Sequence, residues 1–159
     1  MKILITGGKS SIALKLSRAV EGNELLMADY GEMPLIKSKL YSFVGLGDLN
    51  GEVIAHNLLT TCLDQNISLL LPLYKFEIIA LAKAKVLFEE FAVRLLLPTI
   101  TDDFLTNGIS RQNWMVFDRG ETIFYTLADQ ELMAKGKMLY WSGAYYFDPE
   151  TKVLEPMVI

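Results

Sequence analysis

Four short, unbroken apolar runs do most to limit what this chain can become: residues 2–6 (KILIT), 24–28 (ELLMA), 68–71 (SLLL) and 93–97 (VRLLL). None alternates polar with apolar residues, so none suits a sheet with one wet face. Each reads as a strand buried on both sides of a parallel sheet. Between them the spacing turns helical. Ile12, Leu14, Leu16, Ala19 and Val20 follow Ser10 or Ser11, either a natural N-cap, and the pattern stops at Glu21-Gly22-Asn23. Val53, Ile54, Leu58, Leu59 and Leu63 form a second helical face running to Asp64, capped by Asp48 or Asn50, and residues 75–91 read as one long amphipathic helix. Pro72 and Pro98 stop the third and fourth runs, and residues 42–44 offer a further short strand inside an irregular stretch. Strands alternating with helices predict right-handed βαβ units. The expected fold is α/β: a Rossmann-like parallel sheet with helices on both faces, over residues 1–98.

Beyond Thr99 the pattern changes. Residues 113–117 and 122–127 flank Asp118-Arg119-Gly120-Glu121, and residues 138–147 and 152–159 flank Asp148-Pro149-Glu150-Thr151, two hairpin signals. One or two helical turns fit residues 128–134. Residues 99–159 are therefore expected to form a small antiparallel β extension, packed on the first domain or used for dimerisation. Trp114, Phe117, Phe124, Tyr125, Tyr140, Trp141, Tyr145, Tyr146 and Phe147 lie in it. Such a set closes a second small core or makes a homodimer surface, since aromatics are enriched at interfaces. Asp102 and Asp103 are adjacent and diverge on a helix, which favours N-capping over metal binding.

With 52% hydrophobic residues in 159, the chain can bury one substantial core and a small appendage. Its net charge of −4 provides no basic field for nucleic acid or anionic lipid, and no run reaches the apolar length of a membrane span. The opening MKILITGG is broken too early by glycine for a signal peptide, so a cytoplasmic location is expected. Cys62 and His56 are the only residues of their types, which excludes Cys-based zinc sites and His-rich metal sites. His56 reads as a helix-surface residue and Cys62 as a small core residue.

The junction Gly7-Gly8-Lys9-Ser10-Ser11 holds the candidate chemistry. It ends like a P-loop, but the first glycine of G-x-x-x-x-G-K-[ST] would fall on Ile3, inside the strand, so the wrapping loop is absent. A dinucleotide fingerprint fits only loosely: small residues replace glycines, Ala13 stands in for the last, and Asp29 lies where a ribose-binding acid would sit. The loop is compatible with an anion or nucleotide, and equally with a plain tight turn. A short-chain reductase would need Tyr-x-x-x-Lys, and none of the seven tyrosines has a lysine four residues on. No catalytic residue emerges.

Taken in order, ILITGGKSSIALKLSRAV, LLMADY and ISLLLPLYKFEIIALAKAKVLFEEFAVRLLLP resemble the N-terminal, pre-ATP-grasp domain of ATP-grasp ligases. The resemblance covers residues 1 to about 98. It implies a small, hydroxyl-rich loop at Gly7 to Ser11, an acid ending the second strand at Asp29, and Glu77 following the proline turn at Pro72. It also implies that ATP and magnesium are held by later lobes, whereas residues 99–159 contain neither a glycine-rich flap nor a set of magnesium carboxylates. The ligase activity therefore does not carry over to this chain alone. What carries over is a ligand-facing edge of Gly7, Gly8, Lys9, Ser10, Ser11, Asp29 and Glu77. Three functions follow as expectations: a non-catalytic binding or interaction module, the substrate-side partner of a separate ATP-grasp protein, or an NAD(P)-binding oxidoreductase-like protein.

Overall fold

A computed structural model describes residues 1–99 and 108–159. The chain divides into two units, Met1–Leu95 with Val158–Ile159, and Leu96–Met157. Asp102 and Asp103 lie outside the described residues.

In the first unit the apolar runs become β1 (Lys2–Ile5), β2 (Glu24–Asp29), β3 (Ser42–Gly45), β4 (Leu69–Leu71) and β5 (Arg94–Leu95). They form one sheet in the order β3-β2-β1-β4-β5, with every neighbouring pair parallel. Ile3, Leu4, Ile5, Leu69, Leu70 and Met27 are essentially solvent-free, as strands covered on both faces require. The helices are α1 (Ser11–Leu16), α2 (Ile54–Asp64), α3 (Lys75–Lys83) and α4 (Lys85–Glu90). The chain leads leftward from β1 through α1 to β2, and rightward through α2 to β4 and through α3 and α4 to β5, an order for which the right-handed crossover rule assigns α1 to one face and the later helices to the other.

Three expectations change. The single helix over 75–91 breaks at Ala84, whose φ of −101° and ψ of 8° leave the helical range. α2 starts later than its expected caps, because the Asn50 side chain accepts the Glu52 N–H in a local turn; Val53 and Leu63 are exposed while Cys62 joins Ile54, Leu58 and Leu59 inside. The first helix tightens after Leu16 into a 3-10 turn, Ser17–Val20.

The second unit is a four-stranded antiparallel sheet in the order β7-β6-β8-β9: β6 (Trp114–Asp118), β7 (Glu121–Tyr125), β8 (Gly143–Phe147) and β9 (Leu154–Pro156). Both expected hairpins form. The strand expected over 138–147 loses its beginning to α5 (Gln130–Leu139), which ends when Tyr140 turns left-handed at φ 56°. Asp129 caps α5 by accepting the Leu132 N–H at 3.1 Å, and Lys152 donates to its other oxygen at 2.5 Å. Met115, Phe117, Leu132, Trp141, Tyr145, Phe147 and Leu154 make this unit's core. Four of the nine aromatics, Phe117, Trp141, Tyr145 and Phe147, thus close a core of their own. Tyr125 and Tyr140 remain exposed.

Candidate functional site

Asp29 and Glu77, 48 positions apart in the chain, meet through shared partners at the carboxyl edge of the parallel sheet. β2 ends in Asp29, and its carboxylate closes the edge. One oxygen accepts the Lys9 N–H at 3.0 Å; the other accepts the Tyr30 N–H at 2.9 Å and the Tyr74 hydroxyl at 2.8 Å. Glu77 lies in the first turn of α3, three residues after its N-cap, Tyr74, and reaches back to the Tyr74 N–H as in half of a capping box. Its Oε2 accepts the Thr6 hydroxyl and its Oε1 accepts the Tyr30 hydroxyl at 2.7 Å. Thr6 in turn accepts the Leu73 N–H at 2.9 Å. One network therefore ties the ends of β1, β2 and β4 together.

The electrostatics follow from that burial. Glu77 is 0% exposed, and its removal from water pushes its pKa up to about 7, although the Thr6 and Tyr30 hydroxyls pull the other way by favouring the anion. Burial raises Tyr30 well above an ordinary tyrosine, with the adjacent Glu77 charge adding to it. Burial and then the Asp29 contact push Tyr74 to about 12. Both phenols thus stay protonated as donors at neutral pH. Their rings pack at 5.9 Å between centroids, and Phe76 stacks on Tyr74 at 5.0 Å.

The glycine loop is engaged locally. Gly8 approaches β2 so closely that a Cβ would fall 2.8–3.0 Å from Met27 and the Ala28 nitrogen, and its N–H donates to the Ala28 carbonyl at 2.8 Å. Lys9 donates its ammonium to the Tyr30 carbonyl at 2.7 Å. Ser10 is the N-cap of α1, accepting the Ala13 N–H at 3.1 Å, and Ser11 is exposed on the first turn. Gly7 stands at φ +63°. All seven expected residues therefore share one edge, with Asp29 and Glu77 inside the network and the loop side chains at its margin. Thr6, Tyr30 and Tyr74 are members that the sequence reading missed. The signals were present: a hydroxyl closing a buried strand, and tyrosines beside Asp29 and three residues before Glu77.

A second feature lies beside α3. A cleft of about 690 Å³ is lined by Leu49, Ile54, Ala55, Phe76, Ile79 and Ala80, with Glu52 and Lys83 among its polar groups. His56 is exposed on α2, and Cys62 is buried with its thiol pushed up to about 12 by desolvation. Among the described residues no group of three His, Cys, Asp or Glu side chains is arranged to hold a metal ion, and no helix is long and apolar enough to cross a membrane. Compared with known proteins, the chain matches no family model and no curated protein sequence.

Proposed function

We propose that the chain is a non-catalytic ligand-binding or protein-interaction module, resembling a stand-alone pre-ATP-grasp domain and working in the cytoplasm. One observation carries this reading: each carboxylate oxygen at the sheet edge already accepts a hydrogen bond from within the chain. A catalytic acid or base needs a proton path to a substrate, and Glu77 has its contacts with Thr6 and Tyr30 instead. The apolar cleft beside α3 supports a binding role, since its volume falls within the roughly 300–1,000 Å³ of small-molecule sites. Self-association through residues 99–159 rests on Tyr125 and Tyr140, the exposed aromatics of the second unit among the described residues.

The test is native mass spectrometry of the purified chain, followed by incubation with ATP or NAD(P)H. A dimer, or a monomer retaining a small molecule, with no turnover of either nucleotide is expected. Nucleotide turnover by the chain alone overturns the reading.

A second reading has its own support. Asp29 and Glu77 stand together at the strand ends, as the resemblance to ATP-grasp N-terminal domains implies, so the chain is alternatively the substrate-side partner of a separate ATP-grasp protein. Ligase activity that appears only on mixing the two proteins favours it. The NAD(P) reading is weaker, because the acid that would take ribose hydroxyls is 2% exposed and already bonded on both oxygens.

A further inference from the structure

The strand order β3-β2-β1-β4-β5 reverses direction between β1 and β4, because β1 leads leftward to β2 and β4 leads rightward to β5. Open parallel sheets take ligands outside the carboxyl ends of the strands at such a point. The walls of that crevice are residues 6–8 after β1 and residues 72–74 after β4. Thr6 knits them together: its N–H donates to the Leu71 carbonyl at 3.1 Å and its hydroxyl accepts the Leu73 N–H at 2.9 Å.

The crevice is filled by the chain itself. The Ile159 N–H donates to the Leu73 carbonyl at 2.8 Å. Its side chain lies on Gly7, where a Cβ would come within 2.4 Å of the Ile159 Cδ1 and 3.3 Å of the Leu73 Cβ. A bare glycine face and a main-chain carbonyl thus receive one aliphatic side chain and one main-chain N–H. Peptide recognition elsewhere combines the same two elements, main-chain bonds for affinity and a side-chain seat for selectivity, although there the peptide pairs along a sheet edge and here it meets the carboxyl ends of two central strands. Ile159 stays 48% exposed and Val158 partly so, so the occupant lies at the surface of the crevice.

We propose that the β1/β4 crevice is a receptor for an extended aliphatic peptide segment, and that residues 158–159 are its resident occupant. The inference rests on the binding-module reading and deepens it. A tethered occupant acts at an effective concentration of roughly millimolar, so it excludes a free segment of the same chemistry unless it is weakened.

The probe is the peptide LEPMVI, the sequence of residues 154–159, blocked at both ends and titrated into 15N-labelled protein. In the unaltered chain the Gly7 and Leu73 amide resonances are expected to stay in place. In Ile159→Gly, which keeps the N–H and loses the side chain, the same two resonances are expected to move saturably. No movement in the variant, or equal movement in both chains, overturns the proposal. Movement confined to Phe76 and Ile79 overturns it while leaving the binding-module reading standing. Should Ile159→Gly fail to fold, the unaltered chain still decides: a nuclear Overhauser contact between the Ile159 δ-methyl and the Gly7 α-protons is required, and its absence overturns the proposal.

Discussion

The parallel sheet of the first unit is filled with Ile, Leu and Met, while the antiparallel sheet of the second is closed by Phe, Trp and Tyr; their buried carboxyl groups differ as sharply. In the second unit Asp129 caps a helix and pairs with Lys152, an arrangement explained by the ends of α5 and β9 alone. In the first unit two carboxylates are buried where three strands stop, and among the described residues their hydrogen-bond donors are hydroxyls and main-chain N–H groups. Hydroxyls and main-chain N–H groups do the neutralising work there. Acid should therefore affect the two units in opposite senses. Burial alone would raise Asp129, but the bonds from Lys152 and the Leu132 N–H outweigh it and hold its pKa below the ordinary value. Its contribution is present above the unfolded-state pKa and is lost as pH falls. Glu77 is held above its ordinary value, so the folded state keeps a proton that the unfolded chain releases. Its contribution is full at acid pH and is lost as pH rises toward 7.

The largest way to sharpen this contrast is to empty the aromatic core. Phe117 packs edge-on against Trp141 at 5.5 Å and is fully buried, so Phe117→Ala should cost about 3–5 kcal/mol in denaturant unfolding. A loss near that of a surface substitution would mean the second unit has no fixed core. Next comes the polar edge. Asp29→Ala strands the N–H groups of Lys9 and Tyr30 together with the Tyr74 hydroxyl, for an expected loss of about 3 kcal/mol, whereas Asp29→Asn keeps an acceptor and should lose about 1 kcal/mol. Equal losses for the two would show that the carboxylate's hydrogen bonds are not what holds the edge. The smallest effect is at the cap: Asp129→Ala should cost about 1 kcal/mol by thermal melting, read most clearly near pH 7 where its pairing with Lys152 is intact.

Much of this layout was legible from the amino acids. The unbroken runs KILIT, ELLMA and SLLL announced a parallel sheet, because only strands covered on both faces tolerate such runs. Gly7, Gly8 and Asp29 stood out as a loop and an acid after the first two strands, whereas Glu77 joined them only through the resemblance to ATP-grasp N-terminal domains. What could not be read was how they satisfy one another. Thr6, Tyr30 and Tyr74 enter through hydrogen bonds spanning 45 to 71 positions, and no local spacing encodes those. The break at Ala84 was equally hidden, since alanine favours helix and nothing in the local sequence marks a stop there. The start of β8 was misread because apolar residues 138–141 suit a strand as well as a helix end. The left-handed turn at Tyr140 decides between them.

The central claim is that the sheet-edge carboxylates are occupied by their own chain, and Glu77 tests it most directly. Its side-chain carboxyl carbon can be followed by NMR through a pH titration, with Glu77→Gln assigning the signal. The predicted midpoint is about 7, and the same substitution should remove a decline in stability between pH 5 and 7 on the order of 2 kcal/mol. A midpoint in the ordinary glutamate range, with an unchanged stability profile, would contradict the account, because removal from water would then not dominate the environment of Glu77.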